Sequence, residues 1–107
     1  MKIFIVQSAS HKTYEQLKEE KEKTLKELDK SQYFNSIDYE VIGSPIEDST
    51  DGDFIISKIQ QLTDTMQQSD TICFTGHWYN NRICKILYEI AIVSSKAVAI
   101  INERNVK

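Results

Sequence analysis

The chain is short of positive charge, cysteine and long apolar runs, and each shortage closes off a class of function. Thirteen Lys and Arg stand against sixteen Asp and Glu, for a net charge of −3. Binding to DNA or RNA draws on cations that neutralise phosphates, so this balance argues against nucleic acid as a partner. A single small nucleotide makes no such demand. The two cysteines, Cys73 and Cys84, have no CxxC spacing and no Cys/His companion pattern. They read as reduced, buried thiols rather than as a disulfide or metal ligands, which points to the cytoplasm. No stretch approaches the roughly 18 apolar residues of a membrane span. The first apolar run, Ile3 to Val6, is too short for the core of a signal peptide. No membrane partner is therefore expected. Repeats, low-complexity tracts and internal linkers are also missing, so residues 1–107 read as one domain.

What is present alternates between two periods. Lys2 to Gln7 is a near-continuous apolar run, the mark of a strand covered on both faces. Thr13 to about Lys30 reads as a helix with Tyr14, Leu17, Lys21, Leu25 and Leu28 along one stripe. Glu19 with Lys23 and Glu22 with Lys26 are spaced to support it by about 0.3 kcal/mol each. Ile37 to Ile42 alternates as a second strand, which Gly43-Ser44-Pro45 ends. Ile46 to Gly52 is a polar, acidic loop. Asp51 or Asp53 caps a second helix with the stripe Ile55, Ile59, Leu62 and Met66. Thr71 to Thr75 is a third strand. Asn80 or Asn81 opens a third helix that buries Ile83, Leu87, Ile90 and Ala91 and ends near Ser94-Ser95. Ala97 to Ile101 is a fourth strand, followed by a short polar tail.

This order, β-α-β-α-β-α-β, predicts an α/β fold. Right-handed crossovers give a parallel sheet with helices on both faces; the expectation is a single-domain, open, four-stranded sheet of order 2-1-3-4, of the flavodoxin or Rossmann kind. Ligands of such sheets bind beyond the carboxyl ends of the strands, where the strand order reverses. Between strands one and three, that point receives Gln7, Ser8, Ser10 and His11 from one loop. The other loop delivers Gly76, His77, Trp78 and Tyr79. Asn81 and Arg82 follow at the start of the third helix, whose N-terminus suits a phosphate. A cation is unfavourable at a helix start, so Arg82 points to an anionic partner. Trp78 has two readings, a cap on the core or a stacking platform for a base. His11 and His77 are the type of histidine found exposed on any surface. Neither has a carboxylate or Cys at metal spacing, so no metal and no cofactor are expected. Ser8 lies in no Gly-x-Ser-x-Gly turn and has no evident His-Asp partner, so no hydrolase triad is expected either.

These residues also carry a family likeness. Phe4-Ile5-Val6-Gln7-Ser8-Ala9 and His11-Lys12-Thr13 stand where that family has Tyr-Ile-Ser-Gln-Pro-Met and a Gly-Lys-Thr-like segment. The run from Trp78 to Ala91, Trp-Tyr-Asn-Asn-Arg-Ile-Cys-Lys-Ile-Leu-Tyr-Glu-Ile-Ala, follows its Trp-Glu-Asn-Ala-Arg-Gly-Cys-Arg-Ile-Glu-His-Glu-Ile-Ala motif without a gap. The chain thus resembles the small phage and bacterial branch of the nucleoside 2-deoxyribosyltransferase-like superfamily, over nearly its whole length. The resemblance implies a nucleoside pocket and self-assembly. In the active transferases, a Glu four residues before the motif's Ala attacks the anomeric carbon. Here that position is Leu87, which can be neither nucleophile nor base. Glu89 lies about 200° around the helix from it. Ile83 replaces the flexible Gly, Tyr79 the first Glu, and Ser8 the loop proline.

The expectation is therefore a binding module with no catalytic residue. In this reading Gln7, Ser8, Ser10 and Asn81 hydrogen-bond sugar or base, Trp78 and Tyr79 stack, and Arg82 with the helix N-terminus holds phosphate. By analogy with phage relatives, sequestering a cyclic ADP-ribose-type immune signal inside a bacterial host is a conceivable role. One alternative is a nucleoside N-glycosidase or deoxyribosyltransferase using Glu89 or Asp64. Another is a structural or protein-interaction domain. A third helix with Ile86, Ile90 and Val93 on one side and Tyr88 and Ile92 on another suggests a homodimer or larger assembly.

Overall fold

Two strands form the centre of the molecule, because their side chains are apolar on both faces. In a computed structural model that describes residues 1–30 and 39–101, these are β1, Lys2–Gln7, and β3, Thr71–Thr75. They pair in parallel, with Ile3 opposite Thr71 and Gln7 opposite Thr75. The edges are β2, Glu40–Ile42, and β4, Ala97–Ile101. The sheet is entirely parallel, with order β2-β1-β3-β4, as the alternating pattern predicts. Ile37 and Asp38 of the predicted second strand, and the polar tail, lie outside the described residues.

Alternation along the strands splits the core in two. Phe4, Val6, Ile72 and Phe74 face α2 (Gly52–Gln68) and α3 (Arg82–Val93), where they meet Met66, Ile83, Leu87 and Ala91. Ile3, Ile5 and Cys73 face α1 (Tyr14–Lys30), where they meet Leu28. Both cysteines are free and buried, and burial pushes each thiol up to about 12, so they are neutral at pH 7.

The helix ends follow the sequence closely. The Asp51 carboxylate accepts from the amides of Asp53 and Phe54, at 3.0 and 3.3 Å, and caps α2. Asn81 caps α3 by accepting from the Cys84 amide at 3.1 Å. Gly43 ends β2 with φ 109°, and a Cβ there would sit 2.7 Å from the Phe4 ring, so only glycine fits.

Three details of the helices differ from expectation. The stripe on α1 holds at Leu25 and Leu28, but Tyr14 is exposed, and the fully buried residues are Thr24 and Leu28. The first half of α1 lies over the polar carboxyl ends of the strands, so its inward face is polar there. The pairs Glu19–Lys23 and Glu22–Lys26 do not close as ion pairs. The contact made within α1 is Lys30 to Glu27 at 3.5 Å. Long exposed side chains gain little from one fixed geometry. On α3, Ile90 is only half-buried and Cys84 takes the fourth buried position.

Candidate functional site

The carboxyl ends of β1 and β3 open into a polar cleft of about 770 Å3. It sits where the strand order reverses, between the loop after β1 and the loop after β3. Four of the predicted residues line it: Ser8, Ser10, His11 and His77. His11 adopts φ 59°, a left-handed conformation that favours glycine. Asn80, Gln16, Lys12 and Asp48 complete much of the wall.

The floor is built around a residue that sequence periodicity does not mark. Glu20, on α1, turns its carboxylate inward over the strand ends. Its Oε1 accepts from the Gln7 amide at 2.9 Å, and its Oε2 accepts from the Lys12 ammonium in a tight ion pair. Gln7 also donates to the Leu17 carbonyl at 2.9 Å. Beneath the carboxylate lies Gly76, with φ 65°, where a Cβ would run into the Glu20 carboxyl group. One turn further along α1, the hydroxyls of Thr24 and Thr75 meet at 2.6 Å in the interior. Gln7 is therefore a buried support behind Glu20 rather than part of the cleft wall.

Several of the other expected residues have partners within the chain. Asn81 is fully buried, and its side chain is committed to the protein. It donates to the Ser8 hydroxyl at 3.1 Å and to the Ile46 carbonyl at 2.9 Å, besides capping α3. That amide is shielded from water and does not line the cleft. Arg82 does have an anionic partner, but it is internal: Nη1 donates to Asp48 at 3.1 Å. The other Asp48 oxygen accepts from the Arg82 amide at 3.0 Å. The helix N-terminus expected to hold phosphate thus already faces a carboxylate of its own chain. Trp78 lies outside the cleft lining. Its ring stacks on Tyr88 at 5.0 Å and tilts against Phe74 at 5.1 Å, so it closes the α3 side of the core. Tyr79 is exposed and meets Trp78 and His77 edge-on, each at 5.9 Å.

Leu87 is fully buried in the core under α3 rather than facing the cleft. Glu89 and Asp64, named as replacement carboxylates, are exposed on helix surfaces and do not line the cleft. The carboxylates that reach it are Glu20, Glu19 and Asp48. Among the described residues, no group of three or more His, Cys, Asp or Glu is placed to hold a metal ion. None of their helices is long and apolar enough to cross a membrane. No family model, no curated protein and no solved structure matches the chain.

Proposed function

We propose that this chain binds a nucleotide or nucleoside-type ligand in the cleft between β1 and β3, without turning it over. The observation that carries the reading is the cleft itself, which is polar, open and placed at the strand-order reversal where parallel sheets take ligands. The resemblance to the deoxyribosyltransferase-like superfamily supplies the ligand class. His11 supports it, because its left-handed backbone stands where that family has glycine. The nucleophile position supports the non-catalytic half, since Leu87 is buried in the core. Sequestration of a nucleoside-type signal is the biological role to test, with cyclic ADP-ribose as the charged member of the series, in the cytoplasm that two free buried thiols suit.

The test is thermal unfolding with adenosine, thymidine, ADP and cyclic ADP-ribose, on the parent and on Ser10→Trp, which fills the cleft. A ligand at a hundredfold excess over its Kd stabilises by about 2.7 kcal/mol. For a domain of this size that raises Tm by roughly 10 °C or more. Ser10→Trp should melt near the parent and show no shift. If no compound moves the parent, or the variant responds equally, the cleft is not the site.

A second reading has one observation in its favour, the Glu20 carboxylate in the cleft. Glycosidic cleavage needs a carboxylate as nucleophile or acid–base group. Chromatography of the same mixtures decides: free base that appears with the parent and disappears with Glu20→Gln replaces binding by catalysis.

Assembly belongs to the same proposal. Ile86 and Val93, seven residues apart on one flank of α3, are 38% and 82% exposed. A homodimer that covers them removes apolar surface from water. Light scattering at micromolar concentration should give twice the protomer mass, and Val93→Lys should halve it. A parent that scatters as a single protomer sinks the dimer.

A further inference from the structure

The charges around the cleft narrow the ligand further. Its lining carries two cations, Lys12 and Lys23, against three anions, Glu19, Glu20 and Asp48. Lys12 is already committed to Glu20, and Arg82 to Asp48. A phosphate entering here meets excess negative charge, and cations that must first leave a partner.

Glu20 offers the opposite. Only 11% of its side chain is exposed, and it is fixed from two sides by Gln7 and Lys12. Each carboxylate oxygen accepts one hydrogen bond from the protein. A carboxylate has about four acceptor positions, so each oxygen keeps one. The bare Cα of Gly76 leaves room for the carboxylate, and the Ser8 and Ser10 hydroxyls line the same cleft. A rigid anion with one spare acceptor on each oxygen matches a group with two adjacent O–H donors.

We propose that Glu20 is the anchor for a vicinal diol, the 2′- and 3′-hydroxyls of an uncharged ribonucleoside, and that the cleft disfavours the phosphate esters of the same nucleoside. This rests on the reading of the cleft as a nucleoside-type site and names the part of the ligand that it grips. It also assigns a role to a residue outside the motifs of the resemblance.

The experiment is calorimetric titration of the full chain with adenosine, 2′-deoxyadenosine, AMP and cyclic ADP-ribose, at low and high salt. A hydrogen bond to a charged group contributes about 1.5–3 kcal/mol, so loss of one hydroxyl should weaken binding roughly 10- to 100-fold. Adenosine should therefore bind 10- to 100-fold more tightly than 2′-deoxyadenosine and more tightly than AMP, with little effect of salt. Glu20→Gln should weaken adenosine and bring its advantage over 2′-deoxyadenosine below about threefold, since a neutral acceptor gives weaker hydrogen bonds. Gly76→Ala, which pushes on the carboxylate from below, should act in the same direction. It also gives a second measurement if Glu20→Gln does not fold. Equal affinity for adenosine and 2′-deoxyadenosine in the parent overturns the diol anchor while leaving the cleft a ligand site. So does AMP or cyclic ADP-ribose binding more tightly than adenosine and weakening with salt. If no compound binds, the nucleoside reading of the cleft fails, and the anchor with it.

Discussion

Asn81→Ala should lower the unfolding free energy by about 3 kcal/mol, the largest expected loss from a single polar side chain here. Three segments meet at this amide. Its Nδ2 holds the Ser8 hydroxyl after β1 and the Ile46 carbonyl after β2, and its Oδ1 caps the Cys84 amide in α3. The side chain is fully buried, so water does not replace these bonds in the variant. Each buried group left without a partner costs about 1–3 kcal/mol, and loss of an N-cap alone costs about 1. For a domain of this size the change lowers Tm by roughly 10–20 °C. Denaturant unfolding of parent and variant checks it. Asn81→Asp should recover part of the loss, because it keeps the cap, whereas it cannot donate to Ile46. A variant that melts within about 2 °C of the parent would show that Asn81 is not the knot tying the loops together.

The same residue shows where sequence reading runs out. Asn81 was legible as a helix cap, because Asn before an apolar helical run is a local signal. Whether its amide also serves a ligand or the Ile46 carbonyl depends on a contact across 35 positions, which no local pattern carries. The strands and their order were legible for the opposite reason. Ile3 to Val6 and Thr71 to Thr75 must be covered on both faces, which suits them to the two central positions of the order 2-1-3-4. Glu20 was invisible because it lies in a charged helix among Glu and Lys that do face solvent. Apolar periodicity marks only apolar contacts, whereas the middle of α1 packs on polar strand ends through Glu20 and Thr24. Asp48 was hidden in the same way within an acidic loop, and its pairing with Arg82 leaves the anionic partner of that arginine inside the chain. Trp78 carried both readings because its partners, Phe74 and Tyr88, come together only in the folded chain.

Leu87→Glu should cost more than about 5 kcal/mol and leave little folded protein. Leu87 lies in the core cluster with Phe4 and Phe74, fully shielded from water. Truncating a buried leucine costs about 2–5 kcal/mol before any charge is considered. A carboxylate there adds an anion buried among apolar side chains such as Phe4, Val6, Ile72 and Phe74, where losing its hydration is costly. Whole domains are stable by only about 5–15 kcal/mol, so the variant should populate the unfolded state. Leu87→Met, which conserves volume, should cost under about 1.5 kcal/mol and serves as the control. The sign of the pH dependence identifies the cause. Burial raises the folded-state pKa of such a Glu above its unfolded value of about 4.3. The variant's residual stability is then greatest at acidic pH and is lost as pH rises through the folded pKa. Circular dichroism of Leu87→Glu at pH 4.5 and pH 7 should show more folded protein at the lower value, relative to the same comparison for the parent. If Leu87→Glu is as stable as the parent at pH 7, the side chain reaches water, α3 presents this position to the cleft, and nucleoside cleavage by that variant becomes the measurement to make.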